Sequence, residues 1–204
     1  MPHPVTKLEI IAALESNAQS IVAFFSSLSD PLALEGDADH WGPAHHLVHL
    51  TRANVSVERA LRSVTLPLHP TARSRTYAEV RGAAASALAG TSKERLLEMG
   101  RTVVIASDAA LADIVDAFAS TSAELRDAAS TWAEDALDRH ALAHPLMGEL
   151  TVREMLLFFI VHERHHLKIV RTRLESQPPT ESLGRRDEAG RDRGRDDRRG
   201  RDLA

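Results

Sequence analysis

The chain contains no cysteine. Disulfides and thiolate metal ligands are thereby excluded together, so an ion could be held only by His, Asp, Glu or backbone oxygen. Long hydrophobic runs are missing too. The longest, Met155 to Val161, is far too short to span a bilayer, and the N-terminal MPHPVTKLEI has neither the basic start nor the apolar stretch of a signal peptide. Net charge is small: a formal −4 with both signs interspersed gives no general attraction to nucleic acid or to an anionic membrane. These absences predict a soluble, cytoplasmic chain with neither nucleic acid nor membrane among its partners.

At 204 residues and 43% apolar, the chain suits one packed domain. The pattern is helical and offers almost no strand. Ile11, Leu14, Ala18, Ile21, Phe25 and Leu28 step by three and four, the seam of a first long helix. Thr6 and Glu9 form a capping box at its start, with Val5 and Ile10 as the flanking apolar pair. Asp30-Pro31 opens a loop. Gly42-Pro43 starts a second helix, running to about Val64, since proline suits the first helical position where its missing N–H has no partner. Two prolines between Leu66 and Arg75 break the pattern, and Thr76/Glu79 and Thr91/Glu94 repeat the capping spacing before shorter helices. A third long helix, starting near Ser107, carries Leu111, Ile114, Phe118, Ser122, Leu125, Ala129 and Trp132, and a fourth runs from the Thr151/Glu154 capping box to about Glu175. The expected fold is all-α: an antiparallel up-down four-helix bundle with one long crossover between the second and third long helices. This domain should span residues 1–178. Residues 179–204 should form a disordered charged tail, because from Arg185 onward the only large apolar residue is Leu203, and six acidic side chains offset eight arginines.

Histidine is the over-represented residue, at eleven copies. In HHLVHL, His49 lies beside the apolar stripe of the second helix, Leu50, Ala53, Val57 and Leu61, with His45 and His46 about a turn away. In FFIVHERHHLKIV, His162 and His166 sit one turn apart on the stripe Met155, Phe159, His162, His166, Ile169, a spacing that lets two imidazoles chelate one ion. His165 points about a quarter turn away. A lone histidine on an apolar face is ordinarily a core or rim residue with a local hydrogen bond. Three turned toward one core would leave three buried polar rings needing partners, and a shared cation at His49, His162 and His166 satisfies all three. His140 and His144 share the same spacing but are followed by Pro145 and Gly148, and are expected in a loop or helix end. His162-Glu163-Arg164-His165-His166 also matches the H-E-x-x-H metallopeptidase motif, yet no third ligand follows at the right spacing and no strand pattern precedes it.

Two stretches carry a family resemblance. WGPAHHLVHL resembles the helix-two signature of the DinB-like superfamily, a tryptophan and short turn followed by a helix containing H-L. HPLMGELTVREMLLFFIVHERHHLKI is similar to that superfamily's last helix, with its H-P, G-x-L-T, E and closing H-x-x-x-H. The resemblance spans about residues 5–176 and implies a four-helix bundle whose three metal positions fall on His49, His162 and His166. It implies a divalent ion, zinc or nickel first and manganese or iron next, in a superfamily that includes thiol-dependent transferases and isomerases. Some members carry a carboxylate at the position of His162.

The functional expectation is a metal-dependent hydrolase, or a transferase of a low-molecular-weight thiol, acting on an unidentified small molecule. A homodimer is left open. His45 or His46 is the candidate for proton transfer, by reach from His49, and Glu163 is a candidate to orient a ligand or form an ion pair. The alternative is a non-catalytic metal- or ligand-binding bundle; a metallopeptidase is a more distant one.

Overall fold

Thr6, Thr76 and Thr151 each open a helix in the same way. The hydroxyl accepts the backbone N–H three residues on, and a glutamate there, Glu9, Glu79 or Glu154, accepts the threonine's own N–H. The computed structural model describes residues 3–36, 40–63 and 65–176, so the charged tail expected at 179–204 lies outside the described residues. The elements are α1 (Lys7–Phe25), α2 (Asp30–Leu34), α3 (Pro43–Leu61), α4 (Tyr77–Ala89), α5 (Lys93–Gly100), α6 (Leu111–Ser130), α7 (Ala136–Arg139), β1 (Ala141–His144), β2 (Gly148–Thr151) and α8 (Val152–Glu175).

Four local expectations change. Asp30-Pro31 begins the short helix α2 rather than a loop, with the proline in its first turn. The cap of α5 is Ser92, one residue beyond Thr91, and it accepts from the Arg95 N–H. α6 starts at Leu111, because the chain before it, Val103 to Ala106, takes no helical form. The His140–Thr151 region contains an antiparallel hairpin: Ala141 pairs with Thr151 and His144 with Gly148. Its turn is built by the His144 Nδ1, which accepts from the Leu146 and Met147 N–H groups at 3.2 and 3.1 Å, and by Gly148 at φ +74°, where a side chain would be strained. Strand spacing was hidden because each strand is four residues long.

The protein is therefore predominantly helical, and four long helices, α1, α3, α6 and α8, carry the core. α1 packs on α6 and α8, and α3 also packs on α6 and α8. Their directions follow from side-chain contacts. The Lys7 Nζ donates to the carbonyls of Ser130 and Trp132, setting α1 antiparallel to α6. Arg153 reaches the Val5 carbonyl, Asn17 the Ile160 carbonyl, and Arg171 lies over Phe24, so α1 and α8 are parallel. Asn54 meets Ser122 and the Trp132 indole donates to the Leu61 carbonyl, so α3 and α6 are parallel. A strictly antiparallel up-down order does not describe these contacts. The long crossover that carries α4 and α5 returns the chain to the end where α3 began, which makes α3 and α6 run the same way.

By length and composition α1 is apolar enough to cross a membrane, at a mean hydropathy of 1.2. Here it turns Ile10, Leu14, Ile21 and Phe25 into the protein core.

The start of α8 is tied to the crossover and to α7. The Arg75 guanidinium grips the nearly buried Glu154 carboxylate at 2.9 and 3.1 Å, and Arg153 grips Asp138 at 2.7 and 3.0 Å. Arg153 also donates to the Val5 carbonyl at 2.8 Å and the Glu134 carbonyl at 3.0 Å. Its side chain is only 12% exposed while Asp138 is 30% exposed, so the pair is desolvated on one side only. Arg153→Met should lower stability by about 1–3 kcal/mol in urea unfolding, less than for a fully buried pair. An unchanged midpoint would show that these bonds hold nothing together.

Candidate metal centre

The entry to α3 is fixed by contact. A Cβ on Gly42 would lie 1.6 Å from the Glu35 carbonyl oxygen, so only glycine fits between Trp41 and Pro43. From there α3 runs antiparallel to α8, and residues three apart on α3 meet residues four apart on α8. His46 Nδ1 lies 2.8 Å from His166 Nδ1, and His49 Nε2 lies 3.0 Å from His162 Nε2. His166 Nε2 closes the cluster at 2.9 Å from His162 Nε2.

His49, His162 and His166 each offer one ring nitrogen, and these nitrogens all lie within 4.8 Å of one another. A neutral imidazole has one N–H and one lone pair. If His162 Nε2 carries the proton, it can donate to only one of its two neighbours. If it carries the lone pair, both neighbours must donate to one site; its buried Nδ1–H, which meets no partner among the described residues, is then the same donor that a ring ligating through Nε2 would carry. A cation accepting one lone pair from each Nε2 removes the conflict at the centre. Zinc at about 2.0–2.1 Å from each nitrogen would space them about 3.3 Å apart in tetrahedral geometry. Two of the spacings are 3.0 and 2.9 Å, so the residues present fit such an ion.

Burial prepares the rings for this role. It pushes His49 down to about 4, helped by the nearby Arg52 charge, and holds His162 and His166 well below the usual imidazole range, with the His49 ring adding to the effect on both and the His162 ring to that on His166. Neutral imidazole is the ligating form. Two aromatic rings wall the cluster. Trp41 stands edge-on to His46 at 5.2 Å and tilted over His49 at 5.3 Å, while Phe158 stacks on His162 at 5.1 Å. Phe158 was visible in principle, one turn before His162 on the same face. The meeting of Trp41 with α8 was not, because it depends on how the loop before α3 folds back.

Residues 13–170 match the family model described as the DinB superfamily. The chain belongs to the DinB superfamily. No curated protein and no solved structure matches it.

In this DinB-superfamily chain the other sequence candidates are placed differently. Glu163 turns away from the histidines: its carboxylate accepts from the Asn17 Nδ2 of α1 at 3.1 Å, and Asn17 in turn accepts from the Arg164 Nε at 3.0 Å. One residue's rotation on the helix puts it between α8 and α1 rather than between α8 and α3. That separates the H-E-x-x-H letters from metallopeptidase geometry, where the glutamate must face the ion. The His45 ring turns back on its own helix start, accepting the Gly42 N–H at 3.3 Å, and lines a cavity of about 330 Å³ with Leu34 and Val103 to Ser107 rather than the triad. His46 joins the cluster through His166. His144, expected as an ordinary loop residue, sits 4.4 Å from the Phe158 ring, next to the cluster's wall. Sequence reasoning missed Asn17, whose position on an apolar seam gave no sign of the buried carboxylate it serves.

Burial pushes the Glu163 carboxyl up to about 8 against the lowering effect of its Asn17 bond and of Arg126 and Arg164. An acid whose folded pKa is raised contributes its stability below its unfolded value and loses it as pH rises toward the folded value. Glu163→Gln, which keeps the shape and the Asn17 bond, should therefore melt no lower than wild type at neutral pH. Its advantage should grow as pH is raised from 4.5 towards 8. Metal stoichiometry should be unchanged. Thermal melts across that range check this, and a glutamine variant that melts lower at every pH would show the carboxylate to be charged and needed.

Proposed function

We propose that the protein binds one divalent metal ion through His49, His162 and His166 and acts as a metal-dependent enzyme, a hydrolase or a transferase of a low-molecular-weight thiol. The scaffold we infer is a four-helix bundle of the DinB kind, with the crossover between its second and third long helices. The observation that carries the reading is the convergence of three ring nitrogens from two facing helices on one point.

An all-imidazole set suits zinc or nickel before manganese or iron. Three protein ligands leave a position open, as in catalytic rather than structural zinc sites, and a bound ion would supply Lewis-acid activation of water or a thiol at neutral pH. The chain's own part is to hold three neutral rings in place and to wall them with Trp41 and Phe158. One observation favours a second reading, a non-catalytic metal- or ligand-binding protein: Glu163, the carboxylate adjacent in sequence, is committed to Asn17 and offers no base to the site.

Elemental analysis of protein purified without an affinity tag and reconstituted with zinc, nickel or manganese should give one ion per chain, and His49→Ala or His166→Ala should lose it. Well-folded wild type that takes up none of these ions would overturn the reading. Because proton competition begins only near the depressed pKa values, about 4 for His49, affinity should change little from neutral pH down to about 5. Ordinary rings would instead weaken it near about 6.5. Turnover of esters, amides, epoxides or thiol acceptors that requires both metal and His162 separates the enzyme from the binding protein.

A further inference from the structure

We propose that His46 is a positioning residue that fixes the tautomer of His166, and thereby sets which nitrogen His166 turns to the metal. The inference rests on the metal-binding reading above. It reassigns His46, which by reach alone is a candidate for proton transfer.

The two rings meet Nδ1 to Nδ1 at 2.8 Å, a distance that requires one proton between them. If His166 donates, its Nδ1 holds the proton, and its Nε2 presents a lone pair toward His162 Nε2, 2.9 Å away, where the three ligand nitrogens converge. If His46 donates instead, His166 must carry its proton on Nε2 and aim it at that centre, where it would block ligation. Only the first arrangement makes the triad a ligand set. A ligating histidine generally gives its second N–H to an acceptor that fixes ring orientation and raises basicity, and here that acceptor is an imidazole.

His46 is itself held in place. It is 8% exposed, sits in the first turn of α3, and has Trp41 standing edge-on at 5.2 Å. Arg173 of α8 donates to the Trp41 carbonyl, tying that indole's backbone to the helix that bears His166. The acceptor and the ligand it orients are thus fixed to each other through two contacts between the same pair of segments. His162 differs: its Nδ1 is buried and meets no protein partner among the described residues, so the triad has this external orientation at His166 and not at His162.

The test uses the full chain labelled with ¹⁵N. Long-range ¹H–¹⁵N spectra of the metal-free wild type should show His166 protonated on Nδ1, and a wild-type His166 protonated on Nε2 overturns the inference whether or not metal binds. His46→Phe keeps a flat ring beside Trp41 but removes the acceptor. It should release the tautomer preference and weaken zinc binding about 10- to 100-fold in chelator competition. His46→Asn, whose Oδ1 can accept in place of Nδ1, should restore most of both. A folded His46→Phe protein with wild-type zinc affinity overturns the proposal. Wild type that takes no metal overturns the metal reading instead, and the tautomer of His166 still decides whether His46 orients it.

Discussion

The antiparallel register of α3 on α8 is the constraint on which the site depends. With the two helices locked, His46 falls opposite His166 and His49 opposite His162, and the ring nitrogens meet at 2.8 to 3.0 Å. A one-residue slip of either helix would rotate its ring set by about 100° and break both contacts between the helices, His46 to His166 and His49 to His162. Leu47 and Leu50, both almost fully buried, hold α3 in that rotation, and Phe159, Ile160 and Val170 do the same for α8. The apolar packing thus fixes a polar arrangement that would be costly to bury on its own.

The start of α8 is over-determined. The capping box at Thr151, the Arg75–Glu154 pair, the Arg153–Asp138 pair and the hairpin that leads into Thr151 all act within one turn of chain. The two ion pairs and the hairpin join α8 to three different pieces of the fold, so its axial position cannot drift independently. This matters for the site because His162 and His166 lie less than four turns further along the same rigid rod.

α8 presents two polar faces with different chemistry. Toward α3 it offers imidazoles, all neutral through burial and free of carboxylates in their hydrogen bonding among the described residues. Toward α1 it offers Glu163 and Arg164, linked through Asn17, with Arg164 also donating to the Tyr77 hydroxyl at 3.1 Å. One face brings together ring nitrogens that could hold a cation. The other ties its polar groups to neutral partners, Asn17 and Tyr77.

What the sequence by itself determined was local or periodic. The capping boxes at Thr6, Thr76 and Thr151, the proline start of α3, the four apolar seams and the i, i+4 pair His162 and His166 are all set by residues within one or two turns of each other. The DinB-superfamily motifs carried the same information in compressed form. Only the tertiary structure decided the rest. Whether α3 and α6 run parallel depends on where a crossover ends, and no period records that. Whether Glu163 faces α3 or α1 depends on which helix packs on each side of α8, and His46 and His45, adjacent in sequence, part company because only one of them meets the facing helix. Periodicity gives a residue its angle on its own helix, but the partner found at that angle is fixed by packing between segments more than a hundred residues apart.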